Sequence, residues 1–354
     1  MPAMRASRLT SCLQDLEDRI LSEEEERIQQ EWLDFAYARF NQGIFQPRRA
    51  SPNLPRLEWP QVSINSALEE PQAMALQQFG ACSALLAEGR GELMSVRCNY
   101  GTGILPSLFG LEMFVMDEEM NTLPTTRPLN DLERVEKLLD AGVPSLSAGY
   151  GGRVLEMGER FAEWMAGYPK IKHFVHVYHP DLQGPFDLCE LIFGSTLFTT
   201  LVDRPELVHA MLNLVCETYT RFLKAWFVLH PPRPQGNVHW GFFHRGTIML
   251  RDDSAMNLSL KMVREFILPY DRRLLNEFGG GAVHFCGKGD HYIADLCQLD
   301  GLYAMNLTQP ELNNMETIYQ NTVDRGILLL GLARQAAEQA AALGRDLHGR
   351  VHVN

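Results

Sequence analysis

His284, Phe285 and Cys286 lie inside the stretch GGAVHFCGKGDHYI, residues 280–293. A short apolar run leads into them and glycines flank it on both sides. On a strand, residues i and i+2 project to the same face. His284 and Cys286 would therefore stand side by side, with Phe285 opposite. An imidazole beside a thiolate suits zinc, which accepts nitrogen and sulfur alike, and the glycines let the backbone turn sharply next to a ligand. A hydrogen-bonded histidine beside a buried cysteine fits the same three residues, and spacing alone favours that plainer reading. There is no CxxC and no His-x-x-x-His on a helix to strengthen the metal. Catalytic zinc needs three protein ligands and an open position, so a third ligand must come from far along the chain. Cys98, Asp252, Glu311 and His239 are the candidates, and Cys98 best matches the softness of a thiolate site.

The elements that would position these residues are short apolar stretches alternating with helices. ELMSVRCNYG, KIKHFVHVYHPDLQGP, GTIMLRDDS, GAVHFCG, GLYAMNLTQP and GILLLGL each read as a strand closed by turn residues, and GRVHVN reads as a last strand. Between them, Asp203 and Pro205 open one helix. Ser259 caps another that kinks near Pro269 and ends at Gly279. Such alternation means a parallel sheet. About seven or eight units fit a closed (β/α)8 TIM barrel, whose reactive groups sit at the C-terminal strand ends; an open doubly wound sheet is the alternative. Polar residues fall at those ends: His179, Asp181 and Gln183, then Arg251, Asp252 and Asp253, then Asn306. Asp252 and Asp253 could orient a ligand histidine or move a proton, or merely cap the turn before Ser259. Gln183 and Tyr100 could hold a substrate. His239 and His244 precede a strand and are expected near the opposite end in a structural role, and His173 and His176 are expected to be packed. GTGILPSLFG lacks the spacing of a dinucleotide loop.

Residues 1–60 differ from the rest and are expected to form a helical extension with a proline-rich lead-in; residues 61–354 form the barrel. LSEEEERIQQEWLDFAYARF carries an apolar stripe of Ile28, Trp32, Phe35 and Ala36, with Ser22 and Glu25 as a capping box. This extension could pack on a second copy in a homodimer.

The 354 residues are 45% hydrophobic and 21% charged, with a formal net charge of −12. That profile is globular and offers no basic patch for nucleic acid. No apolar run is long enough to span a membrane. Seven scattered cysteines without paired spacing suggest reduced thiols in the cytoplasm.

Several stretches together resemble the uroporphyrinogen decarboxylase superfamily. LQGPFDLCELIFGSTLFTTLVDRPELVHAML is similar to its QGP turn and the helices that follow. LRDDSAMNLSLKMVREFILPY is similar to its strand, acidic pair, cap and proline-ended helix, and VHFCG is similar to the His-x-Cys-Gly strand of its methyltransferase branch. The agreement runs over about residues 90–335. The resemblance implies a (β/α)8 barrel and zinc held by His284 and Cys286. It also implies methyl transfer between a corrinoid, carried on a partner protein, and a thiol or other small acceptor. Decarboxylases of the superfamily resemble one another in an N-terminal RQAGR segment, which is absent here. The late cysteine that completes the methyltransferase zinc site is also absent: this chain has GILLLGLARQ there, and no cysteine follows Cys297. A metal-free decarboxylase, with Arg251 as its nearest cation, and a non-catalytic binding protein are the competing readings.

Overall fold

A computed structural model describes residues 2–41 and 43–354, with side chains from residue 7 onward. Its centre is a set of short parallel strands, labelled here β1 (Ile44–Phe45), β2 (Ser95–Val96), β3 (His176–Val177), β4 (Ile248–Arg251), β5 (Gly281–Phe285), β6 (Leu302–Leu307), β7 (Leu328–Leu332) and β8 (Val351–Val353). Six of them form one sheet in the order β1-β8-β7-β6-β5-β4, and β2 pairs with β3 in a second. Parallel neighbours need long crossovers, and helices supply them, notably Leu260–Phe266 and Leu268–Glu277 between β4 and β5. The architecture is mixed α/β, and neither parallel sheet closes on itself.

The strands are apolar on both faces because both are covered. Leu250, Val283, Phe285, Met305 and Leu329 pack with the helices. Met249, Ala282, Ala304, Leu328 and Leu330 face a second cluster filled by Trp32, Phe35 and Phe242. Trp32 and Phe35 come from the helix Ser22–Ala36, so the N-terminal segment fills the space in front of the sheet as well as adding β1 to its edge. The apolar stripe of that helix is buried as its periodicity requires.

Its start is not capped as expected. Leu21 occupies the cap position and no side chain bonds there; Glu25 instead pairs with Arg49 at 2.7 Å, both fully buried. Asp203 likewise ends the preceding helix, and Arg204 takes the cap position before Pro205. Ser259 does cap, accepting from the Met262 amide, and the chain breaks at Ile267, just before Pro269. The segment 170–174, expected as strand, lies in a helical turn opened by Pro169, leaving only His176–Val177 as strand. Among the described residues no single helix is long and apolar enough to cross a membrane.

Candidate metal centre

The inward face of β5 carries Ala282 and His284, and Cys286 follows directly; Val283 and Phe285 point into the helical layer. Period-two alternation thus brings the imidazole and the thiol together, with His284 Nε2 3.4 Å from Cys286 Sγ. Asp253 joins them from the turn after β4, its Oδ1 3.3 Å from His284 Nε2. One ligand atom from each of the three lies within 4.8 Å of the others. Asp253 is held in place twice: its carboxylate accepts the Cys286 amide at 2.8 Å, and its own amide donates to Asp187 Oδ2 at 2.8 Å. Asp187 Oδ1 also takes the Ser254 amide. Beyond Cys286, Gly287 turns at φ +76°, and a Cβ there would collide with Met256.

The second ring nitrogen of His284 fixes its chemistry. Asn306, its register partner on β6, donates from Nδ2 to the Leu330 carbonyl at 2.6 Å. Its Oδ1 therefore faces His284 Nδ1, at 2.6 Å, and can only accept. Nδ1 must carry the proton, which turns Nε2 toward Cys286 and Asp253. Histidines that bind metals are oriented in this way by a partner on the far nitrogen. Burial disfavours the charged imidazolium, but Asp253 and Cys286 outweigh it, and the His284 pKa is pushed up to about 10. Burial likewise opposes ionisation of Asp253, yet its bonds to His284 and Cys286 hold it below the usual carboxylate range. Thr308 completes the rim, its hydroxyl 3.2 Å from Cys286 Sγ.

The other residues singled out in the sequence lie elsewhere. Cys98 does not join this cluster: it is fully buried, its thiol contacts the Val154 carbonyl at 3.4 Å, and burial pushes its pKa far up. The third candidate ligand is Asp253. Asp252, one residue away, sits between the end of β4 and the turn that begins at Asp253, and it stays outside the cluster. It lies fully buried against Asp271, with no hydrogen-bond donor on either carboxylate oxygen. Burial, then repulsion within the pair, raises the Asp252 pKa well above normal. Glu311 lines a groove beside the Met315–Asn321 and Arg334–Ala342 helices. Tyr100 packs edge-on against Tyr150 with Arg153 over its ring, and burial pushes its pKa up to about 12.

Gln183 donates to Asp181 Oδ1 at 2.6 Å from a left-handed backbone at φ +54°. It belongs to a second polar group beside the first. Asp181 also holds Arg251 at 2.9 Å and Arg97 at 3.2 Å. Arg251 is the register partner of His284 on β4. Trp240 bridges the two groups, 4.8 Å from the Arg251 guanidinium and 5.1 Å from the His284 ring. Trp240 sits at the tip of a hairpin, Asn237–His239 with Phe242–His244. His239 and His244 are buried in that hairpin, which reaches the strand ends instead of staying at the opposite side.

Sequence reasoning missed Trp240 and Asp187. Asp187 had a signal in the acidic residue just inside the Pro185–Phe193 helix; Trp240 had none, since only the three-dimensional hairpin brings it near β5.

No family model matches this chain, and no curated protein matches it. Among solved structures it is similar to a methyltransferase from Methanosarcina mazei, with a TM-score of 0.60 and 16% identity, covering 82% of this chain and 81% of that one. At that identity the likeness is one of fold.

Proposed function

We propose that this chain is a zinc-dependent methyltransferase or demethylase component. In this reading a methyl group moves between a corrinoid on a partner protein and a thiol or other small acceptor. The carrying observation is the convergence of Asp253, His284 and Cys286 within 4.8 Å, with the tautomer of His284 fixed by Asn306. An O, N, S donor set with a partly exposed rim fits a catalytic zinc with one position left open. Asp253 then takes the place of the late cysteine that the sequence lacks. The likeness to the Methanosarcina mazei methyltransferase and the superfamily resemblance favour the same chemistry.

Two further parts belong to this reading. The first is a closed (β/α)8 barrel, because the eight strands follow chain order and side-chain and loop contacts span the two open seams. The Gly184 amide donates to the Arg251 carbonyl and the Met249 amide to His179 Nε2. Arg49, after β1, donates to the carbonyls of Arg90 and Glu92, before β2. The second is a cytoplasmic setting, supported by seven free cysteines.

Zinc held there would lower the pKa of a bound thiol, so that a thiolate exists at neutral pH. The chain's own residues do the rest. Asn306 keeps the His284 ring in orientation, Asp187 anchors the Asp253 turn, and Trp240 covers the apolar side of the ring. The test is metal content of the purified protein. About one zinc per chain, lost in His284→Ala and Cys286→Ser variants that remain folded, is expected. Zinc below about a tenth per chain, indifferent to His284→Ala, would end the proposal.

A metal-free decarboxylase remains the second reading. It is favoured by Arg97 and Arg251 sharing the single carboxylate of Asp181, with Arg251 Nη2 left without a partner. A carboxylated substrate would complete that charge balance, and turnover of one in the presence of chelator would select this reading over the first.

A further inference from the structure

At the other end of β3, where the strand begins, lies a cavity of about 230 Å³. It is bounded by the end of the Gly151–Ala166 helix, the Pro169–Phe174 helix, His176, the end of the Pro205–Leu229 helix and the start of the Trp240 hairpin. Its polar lining comes from Lys172, His176, Tyr178, His230, Arg233 and Asn237. No aspartate or glutamate lines it, in a chain where acids outnumber Lys and Arg by 44 to 32.

Three observations give this lining a purpose. Neither Lys172 nor Arg233 has a carboxylate within ion-pair distance among the described residues, whereas Arg97, Arg251 and most other arginines do. Arg233 uses one guanidinium nitrogen to bond the His173 carbonyl at 3.1 Å, which anchors the head and leaves the remaining donors free. His176 is only 8% exposed, lines the cavity, and its Nε2 has no hydrogen-bond partner. A buried polar nitrogen without a partner is costly. Burial and then Arg233 push the His176 pKa well down, so that ring is neutral, and the positive charge of Lys172 and Arg233 at this wall calls for an acceptor that carries negative charge. Asn237 is spent internally, on the Gly246 carbonyl and the Arg233 amide, and His230 on the Gly158 carbonyl. The free charged donors are therefore Lys172 and Arg233, at the wall of a space large enough for a tetrahedral oxyanion and a small substituent.

We propose that this cavity binds a phosphate-type oxyanion, as free phosphate or as the phosphate group of a small monoester. It stands apart from the metal centre and does not depend on the proposed reaction. Charge-assisted bonds from a guanidinium and an ammonium are a usual means of holding such a group.

Inorganic phosphate and glycerol phosphate, titrated into the full chain by calorimetry against chloride at matched ionic strength, test this. Saturable binding is expected, with movement of the His176 imidazole signals in NMR. Loss of a charged donor is worth about 1.5–3 kcal/mol, so Arg233→Gln and Lys172→Gln should each weaken binding about tenfold or more. Both side chains lie at the surface, and circular dichroism checks that the variants fold; should Arg233→Gln not fold, Lys172→Gln with the His176 signals carries the test. His284→Ala should leave binding unchanged. Tighter binding of the ester identifies a small-molecule monoester, and equal binding identifies free phosphate. Absence of saturable binding, binding indifferent to both charge removals, or binding lost with His284→Ala would each overturn the assignment.

Discussion

Histidines in two neighbouring regions are buried to a similar depth and prefer opposite charge states. In the interior, His179, His239, His244 and His352 are each at most 2% exposed. All four have depressed pKa values, caused first by burial: His179 and His352 about 3, His244 about 4, His239 well below normal. At the strand ends His284 is 8% exposed and is pushed up to about 10. Burial alone would give all five the same sign. The difference is a carboxylate in direct contact with the ring, Asp253 Oδ1 at 3.3 Å from His284 Nε2. Asp253 is free to face His284, whereas Asp181, near His179, is already held by Arg251 and Arg97, and Arg251 outweighs it.

Hydrogen bonding enforces the same division. His179 Nε2 accepts the Met249 amide and His352 Nδ1 accepts the Gly331 amide. His244 Nδ1 faces the Arg245 carbonyl at 2.8 Å, so it carries the proton, and its Nε2 accepts from His239 Nδ1 at 2.7 Å. The bonds accepted by His179 Nε2, His352 Nδ1 and His244 Nε2 each need a ring lone pair that protonation would remove.

The largest expected consequence is acid sensitivity of the interior. The folded pKa values lie below the ordinary unfolded value of about 6.5, so the unfolded chain binds more protons between about pH 4 and 6.5. Stability is complete above that window and falls as pH drops through it, by about 1.4 kcal/mol per pH unit for each such histidine. Urea denaturation at pH 7, 6 and 5 measures the slope. Replacing His352 with Asn, which retains an acceptor for the Gly331 amide, should flatten it by about 1.4 kcal/mol per unit. A slope that His352→Asn leaves unchanged would contradict the neutral interior.

Next in size is the opposite behaviour at the strand ends. With no ion bound, His284 keeps its Nε2 proton up to about pH 10. Zinc at that nitrogen must displace it, so affinity should rise about tenfold per pH unit from this group alone through the neutral range. Calorimetry in buffers of different ionisation heat should register at least one proton released per ion. In Asp253→Asn the metal-free His284 should titrate at lower pH, visible in its NMR signals, because its carboxylate partner is gone. Zinc uptake without proton release would mean that His284 is not a ligand.

Much of this site was legible in the chain and some was not, for physical reasons. His284 and Cys286 are two apart on a strand, and period-two alternation fixes their common face whatever the rest of the fold does. The parallel sheet followed from alternating apolar runs and helices, and the Ser259 cap from local chemistry. The third ligand followed from neither. Between Asp252 and Asp253 the choice depends on where β4 ends relative to β5, a register set by the Arg251–His284 pairing. Cys98 has the right chemistry, but its place between β2 and the Gly151–Ala166 helix turns the thiol onto Val154. The contribution of Trp32 to the interior is likewise non-local: its periodicity predicts burial but not the sheet face it meets.

The smallest expected effect isolates the feature that separates His284 from the interior histidines. Asn306 is neutral, so it orients the ring without supplying charge; orientation and electrostatics are divided between Asn306 and Asp253. Removal of such a partner behind a metal ligand costs about 10–100-fold in affinity, and Asn306→Ala should weaken zinc by that amount. Asn306→Asp should restore most of it, because a carboxylate also accepts from Nδ1, and it should raise the His284 pKa further. The Leu330 carbonyl loses its donor in both variants, so a loss of affinity seen equally in Ala and Asp would trace to that contact and not to the ring. Recovery in Asp alone assigns the effect to the proton on Nδ1, the proton that turns Nε2 toward Cys286.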